Sequence, residues 1–158
     1  MNTRRQILAA FVAIPTVWGA DEKPDFSGRW QMEAGQASAD FPPGLQETID
    51  HRDPVLRIDT EWDRRKATGI SNVALLAPHL EIIADGSENR SDMPSGMALE
   101  TKSHWDGTKL VTDWNVVGLH SPLNGTWTRY MKGSKMVLDA VTETNTGRTH
   151  RTLVFARN

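Results

Sequence analysis

The chain has 158 residues, with 18 basic and 20 acidic side chains, a formal charge of −2 at neutral pH and no cysteine. Disulfides, thiolate metal sites and cysteine nucleophiles are therefore excluded. The near-neutral balance carries no electrostatic footprint for nucleic acid or for an anionic membrane surface.

Residues 1–20, MNTRRQILAAFVAIPTVWGA, pass from two arginines through an apolar run, Ile7 to Trp18, to the small residues Gly19 and Ala20. That order is the order of an export signal. The run is too short to serve as a lasting bilayer span, so no stable membrane anchor is expected. Arg4 and Arg5 in TRRQIL also match a twin-arginine signal, with Ile7 where that pattern favours Phe, and ordinary secretion is the other route. A cut after Gly19 places Val17 three residues from the bond, whereas a cut after Ala20 places bulky Trp18 there. The expected organisation is an export signal over 1–20 and one domain over 21–158, exported to the periplasm or the outside. Loss of Arg4 and Arg5 leaves 16 basic against 20 acidic residues, a charge of about −4.

Beyond the leader the hydrophobic period is two. In FSGRWQME, residues Phe26, Gly28, Trp30 and Met32 alternate with Ser27, Arg29, Gln31 and Glu33, which predicts a half-buried strand. Residues 34–54, AGQASADFPPGLQETIDHRDP, lack that alternation. They predict an irregular loop or lid, with room for a short helix near Leu45 to Ile49. VLRIDTEW then aligns Leu56, Ile58, Thr60 and Trp62. An ambiguous stretch from Thr68 to Leu76 follows, and after it come HLEIIADG and a weak strand in SENRSD. MALETKSHW aligns Met97, Leu99, Thr101, Ser103 and Trp105, and KLVTDWNVV aligns Leu110, Thr112, Trp114 and Val116. TWTRYMK, KMVLDAVTE and RTHRTLVFAR complete the series, with both faces mixed.

Turn chemistry separates these runs. Asp85-Gly86 and Asp106-Gly107 readily adopt the positive φ of primed hairpin turns, and Gly133-Ser134 and Asn145-Thr146-Gly147 serve the same purpose. Short links join antiparallel neighbours, and a meander of this kind hides its edges by closing on itself. The predicted fold is all-β, an antiparallel up-and-down β-barrel of about 8 to 10 strands.

An N-terminal F-x-G-x-W on a first strand, with a meander ending in RTLVFARN, resembles the calycin group of lipocalins and fatty-acid-binding proteins. PDFSGRWQM, ETIDHRDPVLRI, HWDGTKLV and LVFAR, in that order, look like small secreted bacterial proteins of the uncharacterised lipocalin-like kind. The resemblance implies that Trp30 plugs the closed end of the barrel beside Phe26. It also implies that Gly28 lets a neighbouring backbone approach, and that a late-strand cation, Arg151 or Arg157, packs across the indole.

Within such a barrel the lumen candidates are Trp62, Thr101, Trp105, Thr112, Trp114, Trp127 and Arg129. Inward hydroxyls favour some internal water or a polar ligand end, because an unmatched buried hydroxyl costs about 1 to 3 kcal/mol. In fatty-acid-binding proteins a basic residue and a tyrosine two positions on, in the last strand, hold the acid head. The matching stretch here has Leu153 and Phe155, so that anchor is missing. Arg129 or Arg151 replaces it if turned inward, and a surface position is the other reading for each.

None of His51, His79, His104, His120 and His150 falls in a metal-ligand pattern, and no phosphate loop, nucleophile elbow or dinucleotide fingerprint is present. No catalytic residue, cofactor or metal is expected. DHRDP at 50–54 gathers two carboxylates and a histidine, but Asp53-Pro54 also reads simply as a turn. The expected function is an exported binding module that holds a small apolar or amphipathic molecule in a Trp-lined lumen. Its alternatives are a packed barrel acting through its outer surface and a lumen isomerase or cyclase, which would leave no linear motif.

Overall fold

The computed structural model describes residues 22–37, 41–63, 77, 79–93 and 96–158. The leader at 1–20 and the stretch from Thr68 to Leu76 lie outside them. Within the described residues the alternating segments form ten antiparallel strands: β1 Gly28–Met32, β2 Gln46–Arg52, β3 Val55–Glu61, β4 His79–Ile83 and β5 Glu88–Asp92, then β6 Ala98–Asp106, β7 Lys109–Val117, β8 Leu123–Lys132, β9 Lys135–Thr144 and β10 Gly147–Arg157. Their order in the sheet is β4-β3-β2-β1-β10-β9-β8-β7-β6-β5, so every neighbour is a sequence neighbour except β1 and β10. This is a nearly closed up-and-down barrel. At the seam between β4 and β5, the Asn89 side-chain amide donates to the Glu81 carbonyl at 2.6 Å.

The segment expected to be a loop with a short helix contains β2 instead. Leu45 and Ile49 are four residues apart, which fits one helical face, and Glu47 between them conceals the period of two. In the barrel Leu45, Glu47 and Ile49 are all buried on one face, and Glu47 faces Trp30 on one side and Thr60 on the other. A charged inward residue breaks the hydrophobic signature without breaking the strand.

The core runs along the inner faces. Cross-strand rows such as Ser103–Thr112–Trp127–Ala140 and Leu110–Arg129–Leu138 pass around the wall from β6 or β7 to β9. Phe26, Trp30, Leu45, Leu56, Ile58, Leu99, Leu110, Met136 and Phe155 are fully buried. The β2–β3, β4–β5, β6–β7 and β8–β9 turns gather at one end with the start of β1 and the end of β10, and the β1–β2, β5–β6, β7–β8 and β9–β10 links gather at the other. Because β1 pairs only with Phe155 to Arg157 of the eleven-residue β10, the outer half of β10 stands free of β1.

Candidate functional site

The first end is closed by side chains. Trp30 is fully buried, and its Nε1–H donates to the Phe26 carbonyl at 2.8 Å. Phe26, His51 and Trp105 stack mutually with centroids 5.8 to 6.0 Å apart. The Trp105 Nε1–H donates to Asp53 at 3.1 Å, and Lys23 bonds the same carboxylate at 3.0 Å while lying over the indole. The hydrogen bond from Lys23, helped by Trp105, holds the Asp53 carboxyl below the ordinary range. His51 accepts the Phe26 N–H at Nδ1, and its buried Nε2 has no partner among the described residues. Burial lowers the affinity of His51 for a second proton, against the smaller opposing pull of Asp25 and Asp53.

Three expectations are corrected at this end. The cation across Trp30 is Arg157, 4.8 Å from the ring centroid, with its Nη2 donating to the Ser27 carbonyl at 3.1 Å. Arg151 is exposed six residues away and is no part of the plug. It lies beyond the last residue paired to β1, too far along β10 to reach Trp30. Trp105 belongs to the plug and not to the upper lumen, because β6 ends at Asp106 and carries its last inner residue to the closed end. At Gly28 the close neighbour is the Arg157 guanidinium, 3.6 Å from where a Cβ would stand, and not a backbone; its φ of +133° is the conformation that requires glycine there.

Above the plug an ion pair crosses the barrel. Arg129 Nη1 and Nη2 donate to Glu47 Oε2 and Oε1 at 2.5 and 3.3 Å, and both side chains are buried. Nη1 also lies 3.2 Å from the Met136 sulfur. β2 and β8 stand four strands apart in the sheet order, so the pair spans the lumen as a floor. Arg129 thus turns inward, but it is already held. Sequence reasoning misses Glu47; the available signal is a carboxylate in phase with Leu45 and Ile49 and a basic residue in phase with Trp127.

On the mouth side of that floor, Trp127 and Gly125 are the next inner residues of β8. Trp114, in register with Gly125, stacks on Trp127 with centroids 5.2 Å apart and planes 26° apart. A Cβ at Gly125 would stand 2.7 Å from Trp114 Cζ2 and 2.0 Å from the Val141 carbonyl oxygen, so glycine makes room for the indole. Trp114 Nε1 is buried and has no acceptor among the described residues. Ser103 donates to Thr112 at 2.8 Å, and both are buried, as is Thr101. Trp62, just past β3, is half-buried against the core. Inner-face residues nearer the mouth are less buried: Thr142 and Thr60 are half-buried, and Thr144, Thr149 and Arg151 are exposed. No group of three or more His, Asp or Glu suited to a metal occurs among the described residues.

By sequence, no family model matches the chain and no curated protein matches it. By structure it is similar to the zebrafish ileal bile acid-binding protein complexed with cholic acid, at TM-score 0.58 and 12% identity over 84% of this chain and 98% of that one. It is also similar to lipid binding protein 8 of Caenorhabditis elegans, at TM-score 0.56 and 10% identity over 84% and 95%. A third similar structure is a mutant of the REP1-NXSQ fatty acid transporter, at TM-score 0.53 and 18% identity over 84% and 97%. At these identities the likeness is one of fold: the chain shares the antiparallel up-and-down barrel of these proteins.

Proposed function

We propose that the protein is an exported carrier or sequestering module that holds a small apolar or amphipathic molecule in the barrel between the Glu47–Arg129 floor and the open end. One observation carries the reading. The inner face is buried around Trp30, Leu110 and Phe155 but half-buried at Thr142 and exposed at Thr144, Thr149 and Arg151, at the level of the Trp114–Trp127 stack and beyond. Where β9 and β10 run past β1 the barrel end is open, which is the geometry that admits a ligand. The names of the structural neighbours, which include a lipid binding protein, a fatty acid transporter and a complex with cholic acid, support the same class of ligand. Export rests on the leader at 1–20.

The two alternatives draw less support. Leu119 is the one exposed large hydrophobic among the described residues, which gives the surface-partner reading little to rest on. An enzyme would need a free acid or base in the lumen, and Glu47 is bonded through both oxygens. The test is native mass spectrometry of protein purified without detergent, followed by organic extraction. A reproducible bound mass that changes tryptophan fluorescence when added back is the expected result. An empty protein whose fluorescence is unmoved by apolar probes would reject the reading.

A further inference from the structure

We infer that the lumen selects an uncharged ligand bearing a hydrogen-bond acceptor, an ester, ketone or amide oxygen on an apolar body, and disfavours free carboxylates; this rests on the lumen-binding reading above. The charged side chains buried among the described residues are Glu47 and Arg129, and they neutralise each other through a two-point contact. An acid head lowered to this floor would shed its water beside a carboxylate that already holds the guanidinium. At the floor it would gain no unshared cation in return; Arg151, the inner-face cation nearer the mouth, stays in solvent, where an ion pair contributes little.

Two cross-strand rows nearer the mouth, the opposite need appears. Trp114 is only 3% exposed, and its Nε1–H has no acceptor among the described residues. A buried donor without a partner is where a neutral acceptor contributes most, since filling it removes a standing desolvation penalty. Gly125 beneath the indole and Thr142 beside Gly125 are both partly exposed, which gives a ligand a way in from the open end. Trp127 stacked on Trp114 supplies a flat apolar wall, and Ser103 and Thr112 spend their hydrogen bond on each other. The floor is thus electrically closed, and the level of Trp114 is one acceptor short.

The matched probes are dodecanoate and methyl dodecanoate, which share a chain and differ in charge, with dodecane as the hydrocarbon reference. Binding is followed by tryptophan fluorescence and calorimetry at neutral pH. The wild type is expected to bind the ester about tenfold or more tightly than the acid. Glu47→Gln leaves Arg129 without its counter-charge and should raise dodecanoate affinity about tenfold while changing ester affinity little. Trp114→Phe keeps a ring but removes the N–H, and should weaken ester binding about fivefold while sparing dodecane. Acid and ester binding equally to the wild type, with Trp114→Phe indifferent, would overturn the selectivity and leave lumen binding standing. Failure of acid, ester and dodecane alike would reject lumen binding and this inference with it. Should Glu47→Gln not fold, the wild-type ratio and Trp114→Phe still decide.

Discussion

The two ends of the barrel solve different problems with the same residue types. At the closed end Trp30 and Trp105 each donate their indole N–H to a named acceptor, the Phe26 carbonyl and Asp53, and each lies under a cation, Arg157 and Lys23. Nearer the open end Trp114 is buried too, yet its N–H has no acceptor among the described residues, and the inner face beside it reaches solvent. Indoles whose polar atoms are satisfied hold the fold together. An unpartnered indole N–H beside an opening is the feature on which the proposed acceptor selectivity rests.

Breaking the closed end should give the largest effects. Trp30→Ala is expected to lose about 3 to 5 kcal/mol of stability in a denaturant melt, through a cavity under the plug; a loss below about 1 kcal/mol would show that Trp30 does not close the barrel. Comparable in size, Arg129→Met strands the Glu47 carboxylate and should destabilise by about 3 to 5 kcal/mol. Adding Glu47→Leu should recover most of that loss, because replacing both partners removes the unpaired charge. A double variant as unstable as Arg129→Met alone would mean that the pair is not the source of the penalty.

Toward the mouth the expected effects shrink. Gly125→Ala drives a methyl group onto the Val141 carbonyl and the Trp114 ring, and should destabilise by about 1 to 3 kcal/mol with a shifted tryptophan emission. A silent substitution would place the indole elsewhere. The smallest effect is a pH slope. Burial lowers the pKa of His51 below its ordinary 6.5, so the unfolded chain binds the proton more readily than the folded one. The His51 contribution is therefore complete above that value and is lost as pH falls through it toward the folded-state pKa. A second proton would also take Nδ1 away from the Phe26 N–H. Melts between about pH 7.5 and about pH 5 should show less of this slope in His51→Gln than in the wild type; identical slopes would remove His51 as the cause.

Much of the architecture is legible from alternation. β6 and β7 show Leu99, Thr101 and Ser103 against Leu110, Thr112 and Trp114 in plain period two, and the structure buries all six. β2 is illegible because its inner face carries Glu47, and a helix-like spacing of Leu45 and Ile49 fills the gap. The meaning of Glu47 depends on Arg129, which is 82 residues away. Nothing within β2 announces such a partner.

Where alternation is plain, as in β6 and β7, it is enough to assign the face a strand residue takes, because a period of two leaves only two choices. The antiparallel order is equally local, since two-residue turns such as Gly107-Thr108 and Gly133-Ser134 allow no other neighbour. Height along the barrel is different in kind and comes from assembly. That height separates Trp105 in the plug from Trp114 near the mouth, though both occupy inner positions of paired strands, and it chooses Arg157 over Arg151 for Trp30. It follows from the stagger between strands as the sheet closes, which joins residues from distant parts of the chain. No local pattern encodes that stagger, so the floor and the unfilled donor near it emerge only when the barrel is assembled.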